Sequence, residues 1–330
     1  MMKRYYPLIP VCIIYLVFFL VGFKVQGMWQ PMALLVFYAA LGQTFNIFMG
    51  MTGYVDFGYV AFLAMGSYGM ALTISNLHGL SWLGWGIIPL GLLMGLIMAA
   101  LLSLAVGAIA LRLRGAYFAI ATIGVNEGFR YLIEGARFWG GSEGIIISKA
   151  LRDTFGADNA NHLSTFWADT MVYIIAILSA VITLCYLQSK IGYALLALRE
   201  DEDAAKVMGI NTTRYKIIAF ITSASLGGLI GAAGWALKMT YVFPADVFNI
   251  TYTIEAIVIV LLGGVGTLLG PLAGGVIYAA LKYWLSITFP GLQLLILAPI
   301  ILIIIVVFPN GLIGVLKTKL KGTILEKVIV

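Results

Sequence analysis

The chain has 330 residues, of which 62% are hydrophobic and 10% are charged, and its mean hydropathy is +1.03. This composition excludes a soluble globular domain, because so apolar a chain lacks the polar residues to cover a surface in water. The net charge of +6 does not indicate nucleic-acid binding, since the basic residues are scattered at the ends of apolar runs and form no patch. The sequence therefore predicts a polytopic protein embedded in membrane lipid.

The apolar residues form long continuous runs rather than an alternating pattern. In a bilayer every backbone N–H and C=O group needs an internal partner, so continuous runs favour helices over a β-barrel. A hydrocarbon core of about 30 Å needs roughly 20 apolar residues for each helix. We therefore predict an all-α transmembrane helical bundle of about ten spans, forming a single domain over residues 1–330. The predicted spans are 7–23, 29–50, 54–75, 84–110, 115–133, 169–188, 214–237, 252–265, 270–288 and 292–308, of which the eighth is short enough to be broken or re-entrant.

The basic residues indicate the orientation of these spans. With the N-terminus in the cytoplasm, the inner segments hold 13 of the 20 Lys and Arg residues and the outer segments hold the other seven. An excess of Lys and Arg on the inner side is typical of membrane proteins. This orientation predicts an outer loop at 134–168, a cytoplasmic loop at 189–213 and a cytoplasmic tail at 309–330. The outer loop can dock a periplasmic protein or serve as a solvated connector, and its charges do not separate these alternatives.

The cytoplasmic loop between spans six and seven is the most polar segment between long apolar runs. Four consecutive acidic residues are expected at the start of a short surface helix, since carboxylates complement the exposed N–H groups of a first turn. A glycine ends this helix, and the oxygens of Asn211, Thr212 and Thr213 can cap a second helix that starts near Arg214. The residues of the expected surface helix are Glu200, Asp201, Glu202, Asp203, Ala204 and Ala205, with Gly209 at its end.

Glycines interrupt the predicted spans in two places, at 50–72 and at 261–281. Unwound backbone at membrane depth is tolerated where it lines a cavity or lies inside the protein, so such segments indicate a transport pathway. Close helix packing is the alternative, because small residues spaced four apart let two helices approach each other. This spacing is shown by Gly91 and Gly95, and by Gly266, Gly270 and Gly274.

Polar and ionisable residues within the spans are candidates for lining a pathway. Those that we expect to line it are Asn46, Tyr54, Asp56, Asn126, Glu127 and Thr253. Asp56 can instead cap the third span, and Glu127 can instead pair with Arg130, which lies three residues away on the same helix face. Glu255 is expected near the outer interface, at the end of the eighth span.

The sequence contains no pattern typical of an enzyme site. It lacks a glycine-rich loop ending in Lys and Ser or Thr, which would cradle ATP phosphates, so ATP would have to be bound by another chain. The two histidines, His78 and His162, fall in predicted outer loops. Cys12 and Cys185 fall in predicted spans, where we interpret them as buried small hydrophobic residues. We therefore expect no metal site, no disulfide and no cofactor in this chain.

Five blocks of the sequence, taken in order and with their spacing, resemble one protein family. They are GYVDFGYVAFLAMGSYGMAL, LRGAYFAIATIGVNEGFRYL, GGSEGI, REDEDAAKVMGINTTRYKIIAF and LLGGVGTLLGPLAGG. Over roughly residues 30 to 310 the chain is similar to branched-chain amino-acid ABC transporter permeases, and within them to the larger, M-type membrane subunit. In the fourth block, the spacing from Asp203 to Gly209 resembles the cytoplasmic loop with which such permeases contact an ATPase, with Asp in place of the usual Glu.

The resemblance implies partners and a mechanism. It implies a bacterial inner-membrane complex with a second homologous permease subunit, two cytoplasmic ATP-binding subunits, and a periplasmic binding protein that delivers leucine, isoleucine or valine. ATP-driven movement of the helix at 200–209 would then produce alternating access. Asp56 and Tyr59 stand where this family pattern leads us to expect Ser and His or Gln, so a permease for urea, amides or a related small solute is an alternative. A stand-alone proton-coupled carrier, with Glu127 as its coupling group, is another.

Overall fold

The computed structural model describes residues 6–79, 84–308 and 311–319, and most of these residues are helical. The α-helices are α1 Leu8–Lys24, α2 Trp29–Thr52, α3 Val60–Leu77, α4 Ile87–Ala110, α5 Ala116–Gly135, α6 Ser148–Phe155, α7 Ala157–His162, α8 Ala168–Leu187, α9 Lys190–Glu200, α10 Glu202–Val207, α11 Thr212–Ile230, α12 Pro244–Val247, α13 Thr251–Gly263, α14 Gly270–Thr288, α15 Gln293–Val307 and α16 Gly311–Lys319. Strands β1, Ile145–Ile146, and β2, Tyr241–Val242, form an antiparallel ribbon in which Ile145 lies opposite Val242. Short 3-10 turns occur at Gly84–Gly86, Arg137–Trp139 and Gly141–Glu143, and π-helical segments at Leu163–Trp167 and Gly231–Leu237.

Each of the ten predicted spans coincides with an α-helix, so the prediction of an all-α polytopic protein is confirmed. By length and composition, six helical segments of the described chain can cross a membrane: Trp29–Thr52, Val60–Leu77, Gly84–Ala110, Ala157–Leu187, Thr212–Leu237 and Pro244–Gly263. Of the other predicted spans, α1 and α15 are shorter, with 17 and 15 residues, α5 carries three charged side chains, and α14 carries one, Lys282. The total of about ten spans stays a prediction.

The chain divides into two compact units, each assembled from stretches that are distant in sequence. The first unit contains the residues up to Gly53, Ala176–Ile210, and the residues from Glu255 onward. The second unit contains Tyr54–Ile175 and Asn211–Ile254. The boundaries therefore fall between α2 and α3, inside α8, in the α10–α11 turn and inside α13. The single domain over residues 1–330 stays a prediction.

In the second unit, glycines allow α3 to pack closely against α4 and α11. A Cβ atom on Gly66 would lie 1.9 Å from the backbone oxygen of Gly228, and one on Gly95 would lie 2.7 Å from the oxygen of Gly66. A Cβ on Gly91 would lie 2.3 Å from the sulfur of Met70. Backbones approach so closely only where side chains are absent. Close packing, one of the two alternatives, therefore accounts for Gly91 and Gly95.

In the first unit, α14 packs along α2 by the same means. A Cβ atom on Gly275 would lie 2.4 Å from the Cα atom of Ala39. Another on Gly274 would lie 2.1 Å from the backbone oxygen of Ile259 in α13. Gly274 and Gly275 thus hold α14 against two helices at once, whereas Gly266 lies in the loop before α14.

Both predicted interruptions are present as breaks between helices. The first is the segment 53–59 between α2 and α3, where Gly53 has a φ of +74°. The second is the loop 264–269 between α13 and α14, where φ is +132° at Gly264 and +75° at Gly266. Only glycine adopts such values readily, which is why the helices end there.

Two buried carboxylates pair with lysines, one pair in each unit. Asp169 pairs with Lys238 in the second unit, and Glu255 pairs with Lys282 in the first. Glu255 also accepts a hydrogen bond from the hydroxyl of Tyr278 at 2.9 Å. Glu255 is 2% exposed, so it is buried, and its position near the outer interface stays a prediction. The cation and the hydroxyl from α14 offset the cost of burying its charge.

The expectation that both cysteines are buried is wrong. Cys12 and Cys185 are exposed on the outer faces of α1 and α8. The outward face of α1 is apolar, with Ile9, Ile13 and Leu16 also exposed. In a bilayer such a face meets lipid or another subunit, and apolar periodicity alone does not tell that face from one packed inside the protein.

The predicted outer loop 134–168 is largely ordered. It contains β1, α6, α7 and the π-helical Leu163–Trp167. The β-ribbon attaches it to β2, which follows the π-helical segment Gly231–Leu237. A hydrogen bond of 2.9 Å from the N–H group of Ile147 to the backbone oxygen of Thr240 adds a second attachment. The predicted tail 309–330 is described for residues 311–319, which form α16, and its remainder lies outside the described residues.

Candidate functional site

The predicted surface helix is α10, and an aspartate caps it. The backbone of Asp201 is extended, with a φ of −155°, and this bend separates α10 from α9. Its carboxylate accepts hydrogen bonds from the N–H groups of Asp203 and Ala204 at 2.9 and 3.0 Å. These are two of the N–H groups that a helix start leaves without backbone partners.

A left-handed glycine and an asparagine cap follow α10. Gly209 has a φ of +83°, and the N–H group of Ile210 bonds back to the oxygen of Ala205 at 3.0 Å. Asn211 then caps α11 by accepting a hydrogen bond from the N–H group of Arg214 at 3.1 Å. The structure thus has the predicted order of helix, glycine and capped helix, with α11 beginning at Thr212.

Not all four acidic residues, Glu200 to Asp203, lie at the start of the surface helix as predicted. Glu200 is the last residue of α9 and not part of the first turn of α10, because the chain bends at Asp201. Glu202 and Asp203 do lie in that first turn. Glu202 also pairs with Lys206 at 3.0 Å, one turn further along α10.

The exposed surface of α10 ends in an apolar tip that the sequence analysis missed. Val207 and Met208 are 88% and 82% exposed. Ala204 is exposed as well, whereas Ala205 is 4% exposed. A large apolar side chain that is so open on a polar loop is a candidate protein contact. Two apolar residues directly before a glycine are the signal that could have indicated it.

Arg199 connects this loop to the end of α2. Its Nη1 atom donates a hydrogen bond of 2.8 Å to the backbone oxygen of Gly50, in the last turn of α2. A cation there also complements the negative end of the helix dipole. A Cβ atom on Gly266 would lie 2.8 Å from the same nitrogen, so the guanidinium also borders the loop 264–269.

Asn46 holds that loop from the other side. Its Oδ1 atom accepts a hydrogen bond from the N–H group of Gly266 at 2.9 Å, and its Nδ2 atom donates to the backbone oxygen of Thr267 at 3.0 Å. Asn46 is fully buried. Arg199, the end of α2 and the loop 264–269 therefore form one connected set of contacts within the first unit.

Asp56 lies in the segment 53–59 and is buried at 1% exposure. Its Oδ1 atom accepts a hydrogen bond from the N–H group of Gly58 at 2.9 Å, which makes a local turn. Its Oδ2 atom has no hydrogen-bond partner among the described residues. The expectation that Asp56 could cap α3 is not met. Asp56 bonds to the N–H group of Gly58, which precedes α3, and α3 itself begins at Val60.

The cap of α3 comes instead from Thr253. Its Oγ1 atom accepts a hydrogen bond of 3.0 Å from the N–H group of Val60. Asn126 on α5 is likewise fully buried and donates to the backbone oxygen of Phe248 at 3.1 Å. The Oδ1 atom of Asn126 has no partner in the described part of the chain. The N–H group of Phe57 bonds to Thr122, one turn before Asn126, at 3.1 Å.

Tyr54 and Glu127 are the remaining predicted pathway residues of the second unit. The ring of Tyr54 packs edge-on against Phe118 at 5.5 Å, and the Nζ atom of Lys216 lies 4.7 Å from its centre. The side chain of Glu127 is 39% exposed and lies 3.7 Å from Arg130. Arg130 makes a closer contact of 2.9 Å with Glu134.

The predicted pathway residues are divided between the two units, and Glu127 belongs to the second unit. Tyr54, Asp56, Asn126 and Thr253 belong to the second unit and contact the segment 53–59 or the adjacent face of α5. Asn46 belongs to the first unit and supports a different loop. Among the described residues, no group of three or more His, Cys, Asp or Glu side chains is placed to hold a metal ion.

Comparisons with known proteins identify relatives over most of the chain. The profile of the family described as "Branched-chain amino acid transport system / permease component" matches residues 29–307. The "High-affinity branched-chain amino acid transport system permease protein LivM" of Escherichia coli strain K12 is 30% identical over 318 residues, which cover 90% of this chain and 72% of the relative. The protein of the same name from Salmonella typhimurium is 30% identical over 304 residues, covering 86% and 69%.

A second kind of permease is also similar. The "High-affinity branched-chain amino acid transport system permease protein LivH" of Escherichia coli strain K12 is 22% identical over 303 residues, which cover 88% of this chain and 95% of the relative. No solved structure matches the chain.

Proposed function

Since the chain belongs to the family of branched-chain amino acid transport permeases, we propose that it forms the membrane-spanning subunit of an ATP-driven importer for branched-chain or other hydrophobic amino acids. Its proposed location is a bacterial inner membrane, with both termini in the cytoplasm. Its proposed partners are a second homologous permease subunit, two cytoplasmic ATP-binding subunits and a periplasmic substrate-binding protein.

The observation that carries the ATP-driven mechanism is the surface of α10. The helix is short, capped by Asp201, and ends in the exposed apolar residues Val207 and Met208. Burying an apolar side chain of this size stabilises a contact by about 1.5–3 kcal/mol. The exposed tip supports docking into an apolar recess on an ATP-binding subunit, with the carboxylates of Glu202 and Asp203 around it.

The contacts of Arg199 support a route for force into the membrane. A push on α10 acts on α9 through the bend at Asp201, and Arg199 at the end of α9 holds the oxygen of Gly50 in α2. Asn46, one turn before Gly50, holds the loop between α13 and α14. Movement of the docked helix therefore shifts the end of α2 and this loop together, which is the step that we propose for alternating access.

The buried polar groups of the second unit support an amino acid as the substrate. The free oxygens of Asp56 and Asn126 are acceptors. An ammonium group offers three donors and a positive charge, and a carboxylate binds it more strongly than it binds the neutral amide of urea. We propose that these oxygens contact the substrate ammonium during transport.

Uptake into proteoliposomes tests this proposal. The chain is reconstituted with its second permease, ATP-binding subunits and binding protein, and radiolabelled leucine uptake is measured with ATP or with a non-hydrolysable analogue. We expect uptake with ATP only, competition by isoleucine and valine, and no competition by urea. Leucine uptake that persists without the ATP-binding subunits and follows a proton gradient would instead establish the carrier alternative.

A further inference from the structure

A polar cavity lies beside α6 and α7, apart from the buried polar residues of the candidate site. It has a volume of about 390 Å³, within the range of about 300–1,000 Å³ that is usual for small-molecule sites. All its lining residues belong to the second unit. They are Ser148, Leu151, Arg152, Ala157, Ala160, Asn161, Ser164 and Thr240. It therefore lies in the predicted outer segment, beside α6 and α7.

The polar side chains around this cavity are not used by the protein itself. Among the described residues, the side chains of Ser148, Arg152, Asn161 and Thr240 form no hydrogen bond or ion pair. Ser164 differs, because its hydroxyl donates to the backbone oxygen of Asn161 at 3.1 Å. A guanidinium, an amide and two hydroxyls therefore remain available to a ligand.

The wall of the cavity is held in a costly conformation. Thr240 has a φ of +60° and is the one non-glycine residue with positive φ in the described part of the chain. Holding a non-glycine residue in this left-handed backbone conformation costs about 1–3 kcal/mol of conformational free energy. The backbone of Thr240 is fixed by hydrogen bonds at both ends, from its N–H group to Ala236 and to its oxygen from Ile147, each 2.9 Å. The cavity is thus formed before any ligand arrives.

The charges favour an anion at one end of the cavity. Arg152 contributes a cation, and no acidic residue lines the cavity. Ser148 is the first residue of α6, and the N–H groups at the start of a helix carry partial positive charge. Leu151, Ala157 and Ala160 make the remaining part of the lining apolar.

We infer that this cavity binds a small aliphatic carboxylate, with the carboxylate against Arg152 and the aliphatic body against Leu151 and Ala160. A guanidinium and a carboxylate match in geometry and form two parallel hydrogen bonds. The lining offers no carboxylate for an ammonium group, so the ligand class includes aliphatic acids without an amine as well as leucine. This inference does not depend on the proposed transport function.

Direct binding to the purified full-length chain in lipid nanodiscs tests the inference, with saturation-transfer NMR as the readout. The probes are 4-methylpentanoate, leucine and leucinamide, which lacks the carboxylate. We expect saturable binding of the two carboxylates and none of leucinamide. Arg152→Gln should weaken binding of 4-methylpentanoate about tenfold or more, as expected for the loss of a hydrogen-bonded charge. Lys149→Gln removes the same charge from the same helix outside the cavity and should leave the affinity unchanged.

Several results would overturn the inference. They are the absence of saturable binding by any probe, equal binding of leucinamide, and equal weakening by Arg152→Gln and Lys149→Gln. Leucine binding that survives Arg152→Gln, with no binding of 4-methylpentanoate, would assign the ligand to a transport site instead. Ala160→Phe, which fills the apolar side, should also abolish binding, and thermal unfolding checks that this variant folds. Arg152 is exposed, so its replacement does not threaten folding.

Discussion

Replacing Asn46 tests whether the loop between α13 and α14 is held from α2. Asn46→Ala removes both the acceptor of the Gly266 N–H group and the donor to the Thr267 oxygen. Asn46→Leu removes the same two bonds and keeps most of the side-chain volume. Comparing the two variants separates hydrogen bonding from packing.

The expected loss follows from the two groups left without partners. A buried donor or acceptor that loses its partner costs about 1–3 kcal/mol. Gly266 and Thr267 are only partly buried, so we expect both variants to lose roughly 2–4 kcal/mol of the free energy of unfolding. Ser179→Ala is the matched control, because this fully buried hydroxyl bonds only to the oxygen of Ala176 within its own helix. We expect Ser179→Ala to lose less than about 1 kcal/mol.

The assay is equilibrium unfolding of the purified chain in mixed micelles with increasing SDS, followed by tryptophan fluorescence. Asn46→Ala and Asn46→Leu should unfold at clearly lower SDS fractions than the wild type, and Ser179→Ala should not. If both Asn46 variants matched Ser179→Ala, the hydrogen bonds to the loop would not stabilise the first unit. If only Asn46→Ala were destabilised, packing and not hydrogen bonding would account for the role of Asn46.

Two further predictions concern helix packing and the docking surface. Gly66→Ala places a Cβ atom 1.9 Å from the oxygen of Gly228 and should lower the free energy of unfolding by about 1–3 kcal/mol or more, whereas Gly124→Ala, with no neighbour within 4 Å, should be neutral or stabilising in the same assay. Ala204→Trp on the exposed side of α10 should reduce capture of the ATP-binding subunits in a pull-down and leave thermal stability unchanged. Ala205→Trp, at the buried position, should reduce both, and equal effects of the two would contradict the orientation of α10.

Local signals in the sequence were sufficient for the helix ends. Positive φ at Gly53, Gly209 and Gly266 follows from the freedom of glycine, and the cap by Asn211 follows from its side-chain oxygen. The four-residue spacing of Gly91 and Gly95 indicated close packing as one of two alternatives, since it is a property of one helix face. These features depend on a few neighbouring residues, which is why a single sequence shows them.

Features that depend on distant residues could not be predicted. The bonds of Asn46 to Gly266 and Thr267 join positions more than 200 residues apart. Ala205 is buried and Ala204 is exposed, and because both are alanines the sequence does not show which of them faces outward. The position of Glu200 was wrong because any of four consecutive acids can precede a helix, and only the extended backbone of Asp201 selects the cap.

Thiol accessibility at α10 tests most directly the claim that this helix is the cytoplasmic contact of a separate ATPase. Val207→Cys is placed in a chain carrying Cys12→Ala and Cys185→Ala, and vesicles of both orientations are treated with a membrane-impermeant maleimide. Ile146→Cys, 63% exposed on the predicted outer segment, is the control for the other face. We predict that Val207→Cys is labelled only in inverted vesicles and is protected there by the ATP-binding subunits. Labelling from the outer face, or labelling that the ATP-binding subunits leave unchanged, would contradict this claim.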